Sequence, residues 1–82
     1  MASLQYVIDS MCSSLTAKFV YDLIEAHLKD GSFTVGEIIP LIKCKDRSLD
    51  FGSAKKIAEA ALEEFAQRGD VRIEGDNMHS AA

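Results

Sequence analysis

The stretch FGSAKKIAEAALEEFAQRGDVRIEGDNMHS, residues 51–80, limits the possible folds more than any other part of the chain. Ala54, Ile57, Ala58, Ala61, Leu62 and Phe65 recur at helical spacing on one face. Lys55, Lys56, Glu59, Glu63, Glu64 and Gln67 share the opposite face. Ala, Lys, Glu and Leu are also strong helix formers, so propensity and periodicity agree. Gly69, with Arg68 just before it, supplies the stop. VRIE then alternates apolar and charged residues, GDN carries turn chemistry, and MHS can return as a second strand. A chain that closes this way is expected to be mainly α with a small β-hairpin.

The segments before it extend the same class. SFTVGEIIPLIKC carries a T-x-x-E capping box at Thr34 and Glu37, in which each side chain satisfies a free backbone donor near the other residue. Phe33 and Ile38 have the spacing of the hydrophobic staple that accompanies such a box. Val35, Ile38, Ile39 and Ile42 follow helical period, but Pro40 removes the bond to the Gly36 carbonyl, so a short, distorted helix is expected. Upstream, Leu4, Val7, Ile8, Met11 and Leu15 form one helical pattern, and Phe19, Val20, Leu23, Ile24 and His27 or Leu28 a second that stops at Gly31. One kinked helix and two consecutive helices both fit; a break is expected near Ser13 and Ser14, where caps are available. The order is helix, helix, short extended SFT, helix, loop, helix, hairpin.

At 82 residues the chain holds one domain. Its apolar fraction of 48% and charged fraction of 27% are those of a globular protein and argue against disorder. No apolar run approaches the ~20 residues that span a bilayer, and the start lacks the basic region of a signal peptide. An intracellular, cytoplasmic protein without a membrane partner is expected, nucleoid-associated or nuclear if it binds DNA. Cys12 and Cys44 fit no disulfide framework. With His27 and His79 they offer no close ligand pair, so neither a metal nor another cofactor is expected. Ser10, Ser13 and Ser14 have no glycine elbow, Glu63 and Glu64 are adjacent and point apart, and no phosphate-binding glycine loop is present. The chain is not expected to be an enzyme.

Charge is unevenly placed. The net charge is −4, yet KCKDRSLDFGSAKK, residues 43–56, holds five of the nine basic side chains against only Asp46 and Asp50. Lys43, Lys45 and Arg47 lie in or beside the loop, and Lys55 and Lys56 open the following helix.

With its helix order, the small SFT strand and the EEFAQRGDVRIEGD closure, the chain resembles a winged helix-turn-helix domain over residues 15–82. Residues 1–14 add an N-terminal helix and a candidate dimerisation element. In that superfamily the helix before the hairpin enters the major groove of double-stranded DNA with its N-terminal residues at base edges. The resemblance implies base or groove contacts from Ser53, Lys55 and Lys56, with Gly52 allowing close approach. It implies phosphate contacts from Lys43, Lys45 and Arg47, and backbone or minor-groove contacts from Arg72, Asn77 and His79. The free N–H groups at that helix start add an anion-binding element. The expected function is then a DNA-binding transcriptional regulator. Three features depart from the pattern: the hairpin tip lacks Lys or Arg, Glu59, Glu63 and Glu64 make the later helix turns acidic, and the inter-helix loop is long.

Other readings remain open. The basic stretch can be a solvated loop, or the face can dock an acidic protein surface, since winged helices also serve as adaptors and small inhibitors. Leu4, Tyr6, Val7, Ile8 and Met11 either pack on the domain's own core or form a homodimer interface, with Tyr6 as its aromatic anchor. Phe19, Phe33, Phe51 and Phe65 are expected in the core, and His27 at its boundary.

Overall fold

The computed structural model describes residues 3–75 and 77–80. Asp76, in the turn expected at GDN, lies outside the described residues. Four helices are present among them: α1 (Leu4–Ser10), α2 (Ala17–Lys29), α3 (Val35–Lys45) and α4 (Phe51–Gln67). Three short strands, β1 (Phe33–Thr34), β2 (Val71–Glu74) and β3 (Asn77–Ser80), form an antiparallel sheet in the order β1-β3-β2. The chain is therefore mainly helical with a small sheet, and the hairpin gains β1 as a third strand.

Each helix start has a local chemical cause. Ser3, Thr16 and Asp50 cap α1, α2 and α4 by accepting from the N–H of Tyr6, Phe19 and Ser53. The Thr34–Glu37 capping box opens α3, with the Thr34 N–H donating to Glu37 Oε2 at 2.6 Å. That helix runs unbroken through Pro40 for 11 residues, longer than expected. The carbonyl that Pro40 leaves without a donor belongs to Gly36, which is exposed, so water can take the place of the missing bond. At the end of α4 the Gly69 N–H donates to the Ala66 carbonyl and the Asp70 N–H to the Phe65 carbonyl. This Schellman closure needs the positive φ of +83° that Gly69 adopts. The α1–α2 break falls at residues 11–16, where Cys12 takes a left-handed φ of 54°.

Helix α4 is the axis of the core. Its Ala54, Ile57, Ala58, Ala61, Leu62 and Phe65 are all buried, and it packs against α1, α2, α3 and β2. The small alanines let the neighbouring helices approach closely, and the branched residues fill between them. Phe33 pairs with Met78 across the sheet, both are buried, and β3 packs against α2.

Helix α1 shares this core. Leu4 and Ile8 are fully buried, and Val7 and Met11 pack partly against the same cluster. Polar contacts reinforce the attachment. The Leu4 N–H donates to Glu64 Oε1 at 3.0 Å, and the Ala17 N–H donates to Gln5 Oε1 at 2.9 Å. Glu64 also accepts from the Tyr21 hydroxyl; burial, and then this bond, push the Tyr21 phenol up to about 12. Of the residues expected at a dimer interface, only Tyr6 stays open, at 66% exposure. No interface can use Leu4 or Ile8 while they fill the chain's own interior.

One core expectation is overturned. Phe33 and Phe65 are buried and Phe19 is half-buried, but Phe51 is 59% exposed. Its helical phase matches Ala54 and Ala58, yet it is the first residue of α4, beyond the reach of the packed layers. Leu49, from the loop before it, is buried. No helix among the described residues is long and apolar enough to cross a membrane.

Candidate binding surface

The basic stretch is organised by a buried acid. Asp46 follows α3 and is only 7% exposed. Its Oδ1 accepts from the Ser48 hydroxyl at 2.6 Å and the Ser48 N–H at 3.0 Å. Its Oδ2 accepts from the Ser13 hydroxyl at 2.7 Å and the Ser14 N–H at 3.1 Å. Bonds from Ser48, Ser13 and Ser14 hold the carboxyl well below the usual carboxylate range. Asp46 thereby fastens the end of α3 to the α1–α2 linker and fixes the backbone from which Lys45 and Arg47 project. Sequence reasoning counted Asp46 only as a local negative charge. Ser13 and Ser14 lie more than thirty positions upstream of it, so no local pattern reveals that attachment.

The five basic residues of the stretch then separate. Lys45 lies with its Nζ 5.3 Å from the centre of the Phe19 ring, on the α2 side of α3. Lys43 and Arg47 line a shallow concavity of about 370 Å³ with Gly36, Ile39, Pro40 and the exposed Phe51. Lys55 borders the adjoining hollow, which shares Gly36, Ile39 and Phe51. Lys56 is exposed one position further on and, like Lys43, acts electrostatically on Asp50. Lys43, Arg47, Lys55 and Lys56 are thus assembled around the first turn of α4, with an aromatic ring at the centre. The exposure of Phe51 is the feature that sequence reasoning missed.

The helix start itself is already engaged. Asp50 Oδ1 accepts from the Ser53 N–H at 2.7 Å, and the Ser53 hydroxyl bonds to Asp50 as well. Those two bonds, and then Lys43 and Lys56, lower the Asp50 pKa. Half-buried Ser53 is therefore a partner of the cap, and a carboxylate stands where an anion would otherwise find the free N–H groups.

The hairpin contributes a different surface. Arg72 is opposite His79, and Glu74 is opposite Asn77, on one face of the sheet. Arg72 Nε pairs with Glu74 Oε1 at 2.8 Å, and His79 Nε2 lies 3.7 Å from Glu74 Oε2. Glu74 offsets the positive charge that Arg72 was expected to offer. Asn77 is exposed beside the turn. The other face of the hairpin, with Ile73 and Met78, borders a groove of about 690 Å³ along the later turns of α4. Glu59 and Glu63 form its acidic edge, and Lys55 lies where the groove meets the basic cluster.

Among the described residues no group of three or more His, Cys, Asp or Glu side chains is placed to hold a metal ion. Cys12 and Cys44 are both exposed free thiols. His27 is half-buried, with Nδ1 donating to the Leu23 carbonyl at 2.9 Å and its ring edge-on to Phe33. Comparison with protein-family models, curated proteins and solved structures gave no match for this chain.

Proposed function

We propose that the chain is a winged-helix DNA-binding regulator that presents the first turn of α4 to the duplex. The observation that carries the reading is the convergence of Lys43, Arg47, Lys55 and Lys56 around that turn. The fold is compatible with it, because two helices, a short strand, two further helices and a hairpin occur in that order, with β3 at the sheet centre.

The cations act mainly on phosphates. Neutralising about four phosphates gives a slope of log affinity against log salt near −3.6 and a loss of about a hundredfold between 50 and 200 mM. Lys45 and Arg72 add little to this set, because one lies over Phe19 and the other is paired with Glu74. Glu59 and Glu63 confine the contact to the start of α4, since both acids would face any phosphate laid along its later turns.

A second reading, docking of an acidic protein surface on the same cluster, is favoured by Phe51. An exposed ring beside a concavity lined by Ile39 and Pro40 offers an apolar side chain a seat that DNA does not require. Titration of a labelled duplex at two salt concentrations separates the two, using the native chain and Phe51→Ala. Salt-sensitive binding that survives Phe51→Ala supports DNA. Absence of duplex binding by the native chain refutes the DNA reading and leaves the protein-docking one.

A further inference from the structure

The exposed face of α4 is divided by charge. Lys55 and Lys56 lie towards its start, and Glu59 and Glu63 towards its end. None of the four takes part in an ion pair among the described residues. Each half also has an exposed apolar residue beside it: Phe51 at the basic end, and Ile73 of the hairpin, 48% exposed, at the acidic end. Phe51 is a knob on the surface, and Ile73 borders a groove that no described residue fills.

We propose that a second copy of this chain docks here, with the two α4 helices antiparallel across a two-fold axis. The argument is self-complementarity. Lys55 and Glu63 are separated by eight positions, about 12 Å along a helix at 1.5 Å per residue. When two such helices run antiparallel, the basic start of each faces the acidic later turns of the other. When they run parallel, like charge meets like. The same antiparallel arrangement brings Phe51 of each copy towards the groove beside Ile73 of its partner, so the apolar and ionic contacts favour one geometry. A two-fold interface repeats every contact, which doubles the effect of each. The pairing replaces the expected interface at α1, whose Leu4 and Ile8 are already buried, and it does not depend on the DNA reading. Because it covers Lys55 and Lys56, a second copy and a duplex compete for α4.

The test is the solution mass by light scattering, from micromolar to millimolar chain. The native protein is expected to approach twice the chain mass as concentration rises, and to return towards monomer in high salt. Glu59→Lys/Glu63→Lys is expected to weaken pairing by roughly a hundredfold or more, because like charges then face each other in both symmetric halves. Combining it with Lys55→Glu/Lys56→Glu reverses both signs and is expected to restore the dimer. Circular dichroism confirms that these surface variants fold. A native monomer at millimolar concentration overturns the proposal. So does a dimer that survives Glu59→Lys/Glu63→Lys, or one abolished by Tyr6→Ala. None of these results bears on whether the monomer binds DNA.

Discussion

Replacing Ile8 with alanine tests whether α1 is an integral part of the domain. The side chain is fully buried in the cluster around α4. The substitution removes three buried carbons, about 2.4 kcal/mol at ~0.8 kcal/mol each. Incomplete collapse of the space left behind adds about 0.5–1 kcal/mol at ~24 cal/mol per Å³ of cavity. The expected loss is then about 3 kcal/mol, within the measured range for such truncations. A chain of 82 residues has a total stability of roughly 4–12 kcal/mol, so the loss is a large fraction of it. Melting should fall by roughly 12–24 °C, at ~4–8 °C per kcal/mol for a domain of this size. Urea unfolding followed by circular dichroism is the assay, with the slope m expected to stay constant while the midpoint falls. Tyr6→Ala, on the exposed side of the same helix, should change stability by no more than about 0.5 kcal/mol. If Ile8→Ala is as stable as the native chain, α1 does not belong to the core.

Asp46 has a folded pKa depressed below its ordinary 3.8, so its contribution is fully present above that value and is lost as pH falls towards the folded one. Urea midpoints measured downward from pH 6 should fall most steeply below about pH 4, and Asp46→Asn should be less stable at neutral pH with a shallower acid decline. Gly69→Ala should cost about 1–2 kcal/mol, because the φ of +83° is unfavourable for any Cβ although space is open around it. Gly36→Ala, in an ordinary helical conformation with its new Cβ 3.7 Å from Thr34 Oγ1, should instead stabilise by about 0.5–1 kcal/mol. Thermal melts of the two variants should move in opposite directions.

What the sequence reveals about this chain is largely what is local. The Thr34–Glu37 box, the Gly69 closure and the apolar face of α4 depend on neighbours within a turn or two, and all three are present in the structure. Strand pairing of VRIE was legible for the same reason, since alternation and turn chemistry lie within one short segment. Long-range choices were not legible. The pattern of Leu4 and Ile8 shows that a face must be covered but not whether α4 of the same chain covers it. Phe51 has the phase of a core residue, and only the extent of the packed layers leaves it outside. Asp46 reads as surface charge until the α1–α2 linker brings Ser13 and Ser14 to it. In the candidate surface, sequence position identified the basic cluster, while the separation of Lys45 from it and the pairing of Arg72 with Glu74 required three dimensions.

The proposal that α4 presents its first turn to DNA is tested most directly by the salt dependence of duplex affinity, measured by fluorescence anisotropy for the native chain and for Lys55→Glu/Lys56→Glu. The native chain should show a log–log slope near −3.6, and the double variant should lose most of its affinity and about half of that slope. Equal affinity and equal slope in the two proteins, or no salt-sensitive binding by the native chain, would contradict it.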